Sequence, residues 1–254
     1  MALVMVLRAY GSYRSYRTYG SYRTYKTYRT YRSYRPCKSH TQREADRLSW
    51  RRFFTVNRDI FLRTLCLVSV NLYFTSAGAA QGALMLAVNT LLMQLFTLFS
   101  YFMDGFAYAG EALAGRYYGA RDAAALSDVV GRLFRWGAAM VVLFTLVYAL
   151  LGMPLLSLLT NDGAVIAAAR PYLPWAVAIP LCGVAAFVWD GVFIGTTYTR
   201  GMLQSCFVAA VAFFALWLAA SPAMGNHALW LALNAYLALR GLVQQWLWRR
   251  FAIC

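Results

Sequence analysis

Charge is what this sequence has least of. Only 13% of its 254 residues are charged while 61% are hydrophobic, too few polar groups to cover the surface of a soluble domain. Histidine occurs twice. With no Ser/His/Asp set and no HExxH sequence, a membrane enzyme has little to work with, and no GxxxxGK[ST] loop is present for a nucleotide-driven pump. The five cysteines, Cys37, Cys66, Cys182, Cys206 and Cys254, stand far apart and show neither CxxC nor Cys/His ligand spacing. They read as packing, lipid-facing or terminal thiols, so no metal site and no cofactor is expected. The apolar opening Met1 to Leu7 is too short to span a bilayer and no small-residue cleavage site follows it, so the first true span should direct insertion.

What the chain has is long apolar stretches. Six are expected to cross a membrane: Ile60 to Ala77, Ala83 to Tyr117, Phe134 to Leu151, Tyr172 to Gly195, Met202 to Ala219 and Ala228 to Trp248. A helix of about 20 apolar residues spans the hydrocarbon layer and satisfies its own backbone there. The fold class is therefore all-α, a polytopic bundle of six transmembrane helices whose first partner is the lipid bilayer. The loop from Arg116 to Arg135 carries four arginines, the next loop on that side has Arg200, and the C-terminus has Arg249 and Arg250. The alternate loops hold only Arg170, so both termini are expected to be cytoplasmic. The net charge of +15 lies mostly in the first 59 residues and at helix ends. It reports topology and makes nucleic acid an unlikely partner.

The chain divides into three parts. In residues 1–36, Tyr recurs at every third position from Tyr10 to Tyr34, interleaved with Ser, Thr and Arg. That period fits neither a helix face nor a strand face, and no aliphatic residue lies between Tyr10 and Tyr34 to build a core. The arm is expected to be disordered, read either as a translated tandem repeat or as an Arg/Tyr arm for RNA or anionic lipid. Residues 37–59 place Trp50, Phe53 and Phe54 beside Arg51 and Arg52, a basic amphipathic lead-in suited to the headgroup layer. Residues 60–254 form the six-helix lobe. At its last span, Gly225-Asn226 reads as a turn and N-cap, and His227 as an outer-surface residue.

Three carboxylates lie inside apolar stretches: Asp104, Glu111 and Asp190. An acid at the centre of a membrane helix costs about 2.5 to 3.5 kcal/mol on insertion scales, so such residues usually face a cavity and serve a function. Asp104 and Glu111 are seven residues apart, on nearly one helix face and about 10 Å apart along the axis. Counted from Arg116 and Arg200, Asp104 and Asp190 lie at similar depth, so convergence in one pocket is feasible. Each is followed by a glycine, Gly105 and Gly191, that admits a neighbouring helix. Arg240 in the last span is the candidate charge partner; Glu111 and Arg63, nearer the helix ends, can snorkel. Trp189, Phe102 and Tyr108 are candidate lining residues for flat organic cations. A desolvated carboxylate binds a proton or a cation but not both comfortably, which is the physical core of an antiporter. The competing reading pairs these acids with Arg240 for structure alone.

The segments Phe53 to Leu65 (FFTVNRDIFLRTL), Asp104 to Leu113 (DGFAYAGEAL), Asp190 to Gly195 (DGVFIG) and Gly225-Asn226-His227 together resemble the second half of a multidrug and toxic compound extrusion (MATE) transporter, and within that family its bacterial DinF-like branch. The resemblance runs from about Arg51 to the C-terminus and implies one six-helix lobe of a twelve-helix, two-lobe antiporter of the bacterial inner membrane. Such a protein exchanges protons or sodium for small organic cations or amphipathic compounds. It implies that Asp190 occupies the position of an embedded acid in the fourth helix of that lobe; the residues themselves suggest Asp104 as an assisting acid. Two departures stand out: Phe61 to Gly78 lacks the Glu some sodium-coupled members carry, and the N-terminal lobe with its coupling Asp is missing. A truncated gene product is the favoured expectation, ahead of pairing with a separate first lobe or a second copy. The alternative is a non-transporting scaffold or assembly subunit.

Overall fold

The computed structural model describes residues 41–252; the Tyr/Arg arm of residues 1–36 lies outside the described residues, as do Cys37 and Cys254. Among the described residues there are six long helices, α1 (Thr41–Ala80), α2 (Ala83–Gly119), α3 (Ala123–Leu159), α5 (Leu173–Gly195), α6 (Thr199–Met224) and α7 (Asn226–Ala252). A short helix α4 (Gly163–Ala169) and a single 3-10 turn (Arg170–Tyr172) lead into α5. The protein is all-helical, and five of these stretches are long and apolar enough to cross a membrane. The exception is α7, expected as the span Ala228 to Trp248, because it carries Asn226, Asn234, Arg240 and Gln244 on its buried side. The bundle is thus most polar where it is most enclosed. The surface of α3 and α6 is the reverse, with Val142, Leu143, Leu146, Leu150, Phe207 and Val211 exposed, as expected of a face solvated by lipid tails.

The described residues fall into two units that divide between Phe54 and Thr55. In the first, the rings of Trp50, Phe53 and Phe54 cluster with centroids 5.7 to 6.3 Å apart. All three are exposed.

In the second unit α5 is the central helix, packed against α2, α3 and α7. Its seam with α2 is made of small residues. A Cβ on Gly191 would overlap the Ala107 carbonyl, one on Gly195 would overlap the Glu111 carbonyl, and one on Gly115 would meet the Gly195 oxygen at 3.1 Å. Residues spaced by four on both helices therefore let the two backbones touch. The glycine after Asp190 serves close approach as expected; Gly105 does not, since nothing lies within 4 Å of where its Cβ would be.

By contrast, α1 joins the lobe largely through side chains. The Phe74 ring meets Trp230 edge-on at 5.1 Å, and Tyr73 meets Phe214 at 5.0 Å. Only 11% of its apolar stretch is buried, against 56% for the span that contains α5, so α1 is the helix least committed to the core.

The connections are tighter than the sequence suggests. The expected loop from Arg116 to Arg135 shrinks to a turn, with α3 starting at Ala123 because the Asp122 side chain accepts from Ala125 N at 2.9 Å. Arg121 there and Thr197 after α5 take positive φ, 58° and 57°. Each is followed by a backbone bond five residues back, Asp122 N to Tyr117 O at 3.0 Å and Tyr198 N to Phe193 O at 2.8 Å, the Schellman pattern that ends a helix sharply. Asn226, expected as an N-cap, instead exchanges side-chain hydrogen bonds with Asn89, at 2.8 and 2.9 Å. His227 is half-buried rather than on the outer surface and accepts from Trp175 Nε1 at 3.0 Å.

Candidate functional site

The charged residues of the spans meet in one place. Asp190, 5% exposed on the central helix, receives three side-chain donors from two other helices. Arg240 Nη2 on α7 donates to Oδ2 at 2.5 Å, Gln244 Nε2 one turn further on α7 donates to Oδ1 at 2.6 Å, and Arg63 Nη2 on α1 also donates to Oδ2. The spacing of Arg240 and Gln244 puts both on one face of α7, and the turn-by-turn geometry of α5 puts Asp190 opposite them. Arg240 is further held over the Tyr236 ring, 5.9 Å from its centroid.

Beside this triad opens a cavity of about 390 Å³ lined by Arg63, Asn71, Ser100, Asp104, Tyr108, Glu111, Phe187, Asp190 and Arg240, among others. Asp104 and Asp190 therefore do reach one pocket. Their environments differ sharply. Asp190 is saturated, whereas the carboxylates of Asp104 and Glu111 take no hydrogen bond and no ion pair among the described residues. Asp104 still lies within electrostatic range of both Asp190 and Arg63. Several donors and acceptors of the triad are unsatisfied: Arg63 Nε, Arg240 Nε and Gln244 Oε1 are buried without partners. Buried polar atoms of this kind cost free energy unless something supplies the missing contact.

Of the three candidate lining residues, Tyr108 lines the mouth of the cavity. Trp189 does not. Its neighbour Asp190 points into the cavity, and a step of one residue turns a helix by about 100°, which sends Trp189 into the core, with Nε1 donating to Gln245 Oε1 at 3.1 Å and the ring 5.2 Å from those of Phe134 and Trp248. Phe102, two positions from Asp104, likewise turns away and packs on Phe144 at 5.1 Å.

Arg63 was expected to snorkel toward the surface and instead turns inward, its side chain 16% exposed, because a buried carboxylate at the same depth attracts it more than the interface does. Asp59, which sequence reasoning passed over, is 1% exposed and accepts from Arg58 Nη2 at 3.0 Å and from Thr199 Oγ1 at 3.3 Å, tying α1 to the first residue of α6. A second, larger opening of about 540 Å³ near Thr90, Gln94 and Thr160 has Asp162 as its one carboxylate. That carboxylate already caps α4, accepting from Ala164 N at 2.9 Å.

Ion pairs and unpaired carboxylates share one cavity inside an apolar helical lobe, an arrangement that solvation by lipid alone does not call for. Comparison with known proteins gives the family: the MatE family profile matches residues 60–219, more than half of the chain, and the chain belongs to that family of membrane transporters. It is similar to DNA damage-inducible protein F of Escherichia coli (strain K12), 45% identical over 204 residues that make up 80% of this chain and 44% of that protein. It is also similar to Arabidopsis thaliana Protein DETOXIFICATION 42, 24% identical over 78% of this chain and 39% of the relative, and to Protein DETOXIFICATION 43, 25% identical over 77% and 37%. The chain thus spans less than half the length of the curated relatives it matches. It is a multi-pass membrane protein with a bacterial homologue.

Proposed function

We propose that this six-helix lobe is one half of a cation-coupled antiporter, in which a proton or sodium ion and an organic or amphipathic cation compete for the carboxylates of the α1–α2–α5–α7 cavity. The observation that carries the reading is the cavity itself: three carboxylates and two guanidiniums converge in an otherwise apolar bundle. Maintaining that many charges in a low-dielectric interior is costly, and a lobe with no need of them would be more stable with apolar residues there. Asp190 anchors the site and Asp104 and Glu111 supply its free negative charge. In this reading the protein sits in a bacterial plasma membrane with both termini cytoplasmic, and it completes the cavity with an N-terminal lobe or a second copy of itself.

The test is gradient-driven movement of ethidium in vesicles that carry the full chain. Uptake that collapses when an ionophore dissipates the proton and sodium gradients, and that disappears in the combined Asp104→Asn/Asp190→Asn variant, is the expected result. Ethidium movement identical in that variant and the parent would defeat the proposal. It would favour instead a non-transporting scaffold, a role that the tight pairing of Asp190 with Arg63 and Arg240 also fits.

A further inference from the structure

The charges around the cavity do not balance, and the imbalance is confined to one side. Three carboxylates, Asp104, Glu111 and Asp190, face two guanidiniums, Arg63 and Arg240. Both guanidiniums are committed to Asp190 through the same oxygen, and Gln244 takes the other. Asp190 is therefore unable to receive a proton or a cation without first displacing two arginines. The excess negative charge resides on α2, where Asp104 and Glu111 stand about 10 Å apart along one face with no ion pair or hydrogen bond of their own among the described residues. Asp104 is the deeper of the two and is the one that faces the triad. Across the cavity from it are Arg63 of α1, Asp190 of α5 and Arg240 of α7, with Tyr108 and Glu111 on its own helix.

Resting on the antiport reading given above, we infer that the exchangeable charge of this lobe is a single positive one held at Asp104, while Asp190 is a fixed acid that positions Arg63 and Arg240. The substrate class follows from the arithmetic of charge. A monovalent cation, or one proton, neutralises the cavity; a divalent cation leaves a positive excess beside two guanidiniums that have no spare acceptor. Ser100 and Asn71 in the wall offer oxygen acceptors for a small ion or for the amines of an organic one. Phe187 and Tyr108 offer ring faces for a flat cation.

Equilibrium binding to the purified full chain in lipid nanodiscs separates these roles, with ethidium as the monovalent probe and propidium, the same ring system with a second positive charge, as the divalent one. Ethidium is expected to bind about tenfold or more tightly than propidium, the discrimination expected of one uncompensated charge at short range. Asp104→Asn should weaken ethidium by a similar factor, about tenfold, and Asp104→Glu should restore it. The pair Asp190→Asn/Arg63→Gln removes one charge of each sign and keeps the excess, so it should weaken ethidium less than Asp104→Asn does.

Equal affinity for the two dyes, binding of neither by the parent chain, or loss of ethidium in the charge-balanced pair with retention in Asp104→Asn would each overturn the inference. The dye comparison needs no variant and so stands even where one fails to fold. Binding at Asp104 with no gradient-driven flux would sink the antiport reading and leave this one intact. Flux that survives Asp104→Asn would do the opposite.

Discussion

Helix α7 is tied at both ends of the lobe, to α2 at one end and through Asp190 to α1 at the other, and the two ties are built of different materials. At the end where α1 turns into α2, Asn89 and Asn226 exchange two amide hydrogen bonds and Trp230 Nε1 donates a third to Asn89 Oδ1 at 3.0 Å. Gly78 of α1 lies directly against Asn89, whose Nδ2 would be 2.7 Å from an added Cβ. This amide clamp is neutral and buried, and none of its side-chain atoms is unsatisfied. At the end bearing the arginine-rich turns, Arg63 and Arg240 share Asp190, and three side-chain atoms are left without partners. A unit charge placed about 4 Å from another changes the energy by roughly 4 kcal/mol at an effective dielectric of 20. A cation arriving in the cavity therefore acts strongly on the charged tie and hardly at all on the amide one. The amide end is suited to be a pivot between α2 and α7 and the charged end to be the part that answers to cargo.

The largest way to break this comparison is at the charged tie. Asp190→Leu strands two buried guanidiniums and should cost about 3 to 5 kcal/mol of stability, read as a shift in SDS-induced unfolding of the chain in mixed micelles. Adding Arg63→Met and Arg240→Met to Asp190→Leu should recover most of that loss, because an apolar triad of similar volume carries no desolvation penalty. A triple variant as unstable as the single one would show that the charges, and not their burial, hold the lobe together.

A smaller effect sharpens the comparison from the other end. Asn89→Ala removes three hydrogen bonds and leaves the Asn226 amide and the Trp230 indole unpaired, at a cost of about 2 kcal/mol. If the clamp is a pivot rather than a sensor, the stabilisation gained on adding ethidium should be the same in Asn89→Ala as in the parent. Ethidium-induced protection that vanishes with Asn89 would remove the distinction between the two ties.

How much of this was legible beforehand divides along physical lines. Hydropathy marked all six helices of the lobe, the last of them, Ala228 to Trp248, despite the Asn234, Arg240 and Gln244 within it. Asp190 and Arg240 stood out because a charge in a membrane helix is expensive, and an expense that large is visible in one dimension. Arg63 did not, since near a helix end two outcomes compete, snorkelling outward or pairing inward, and the choice depends on the rotation of α1 relative to α5. Trp189 and Phe102 were misplaced by the turn of about 100° per residue along their own helices, α5 and α2. Asn89 carried no signal at all, because a neutral amide is affordable almost anywhere along a span and declares itself only through its partner 137 positions away.

The smallest prediction concerns the rest of the core, where neither tie is involved. Tyr148 on α3 is fully buried and its hydroxyl donates to the Leu95 carbonyl on α2 at 2.6 Å, a single bond in a cluster where its ring packs on Phe144 at 5.6 Å. Leu95 keeps its carbonyl's place in the α2 ladder without it, so Tyr148→Phe retains the ring packing and forfeits one interhelical hydrogen bond. The expected loss is about 0.6 kcal/mol, the ordinary worth of such a bond between membrane helices, with ethidium binding unchanged. Should the loss approach that of Asn89→Ala, hydrogen bonding would be as consequential between α2 and α3 as between α2 and α7, and the amide clamp would cease to be a distinct pivot.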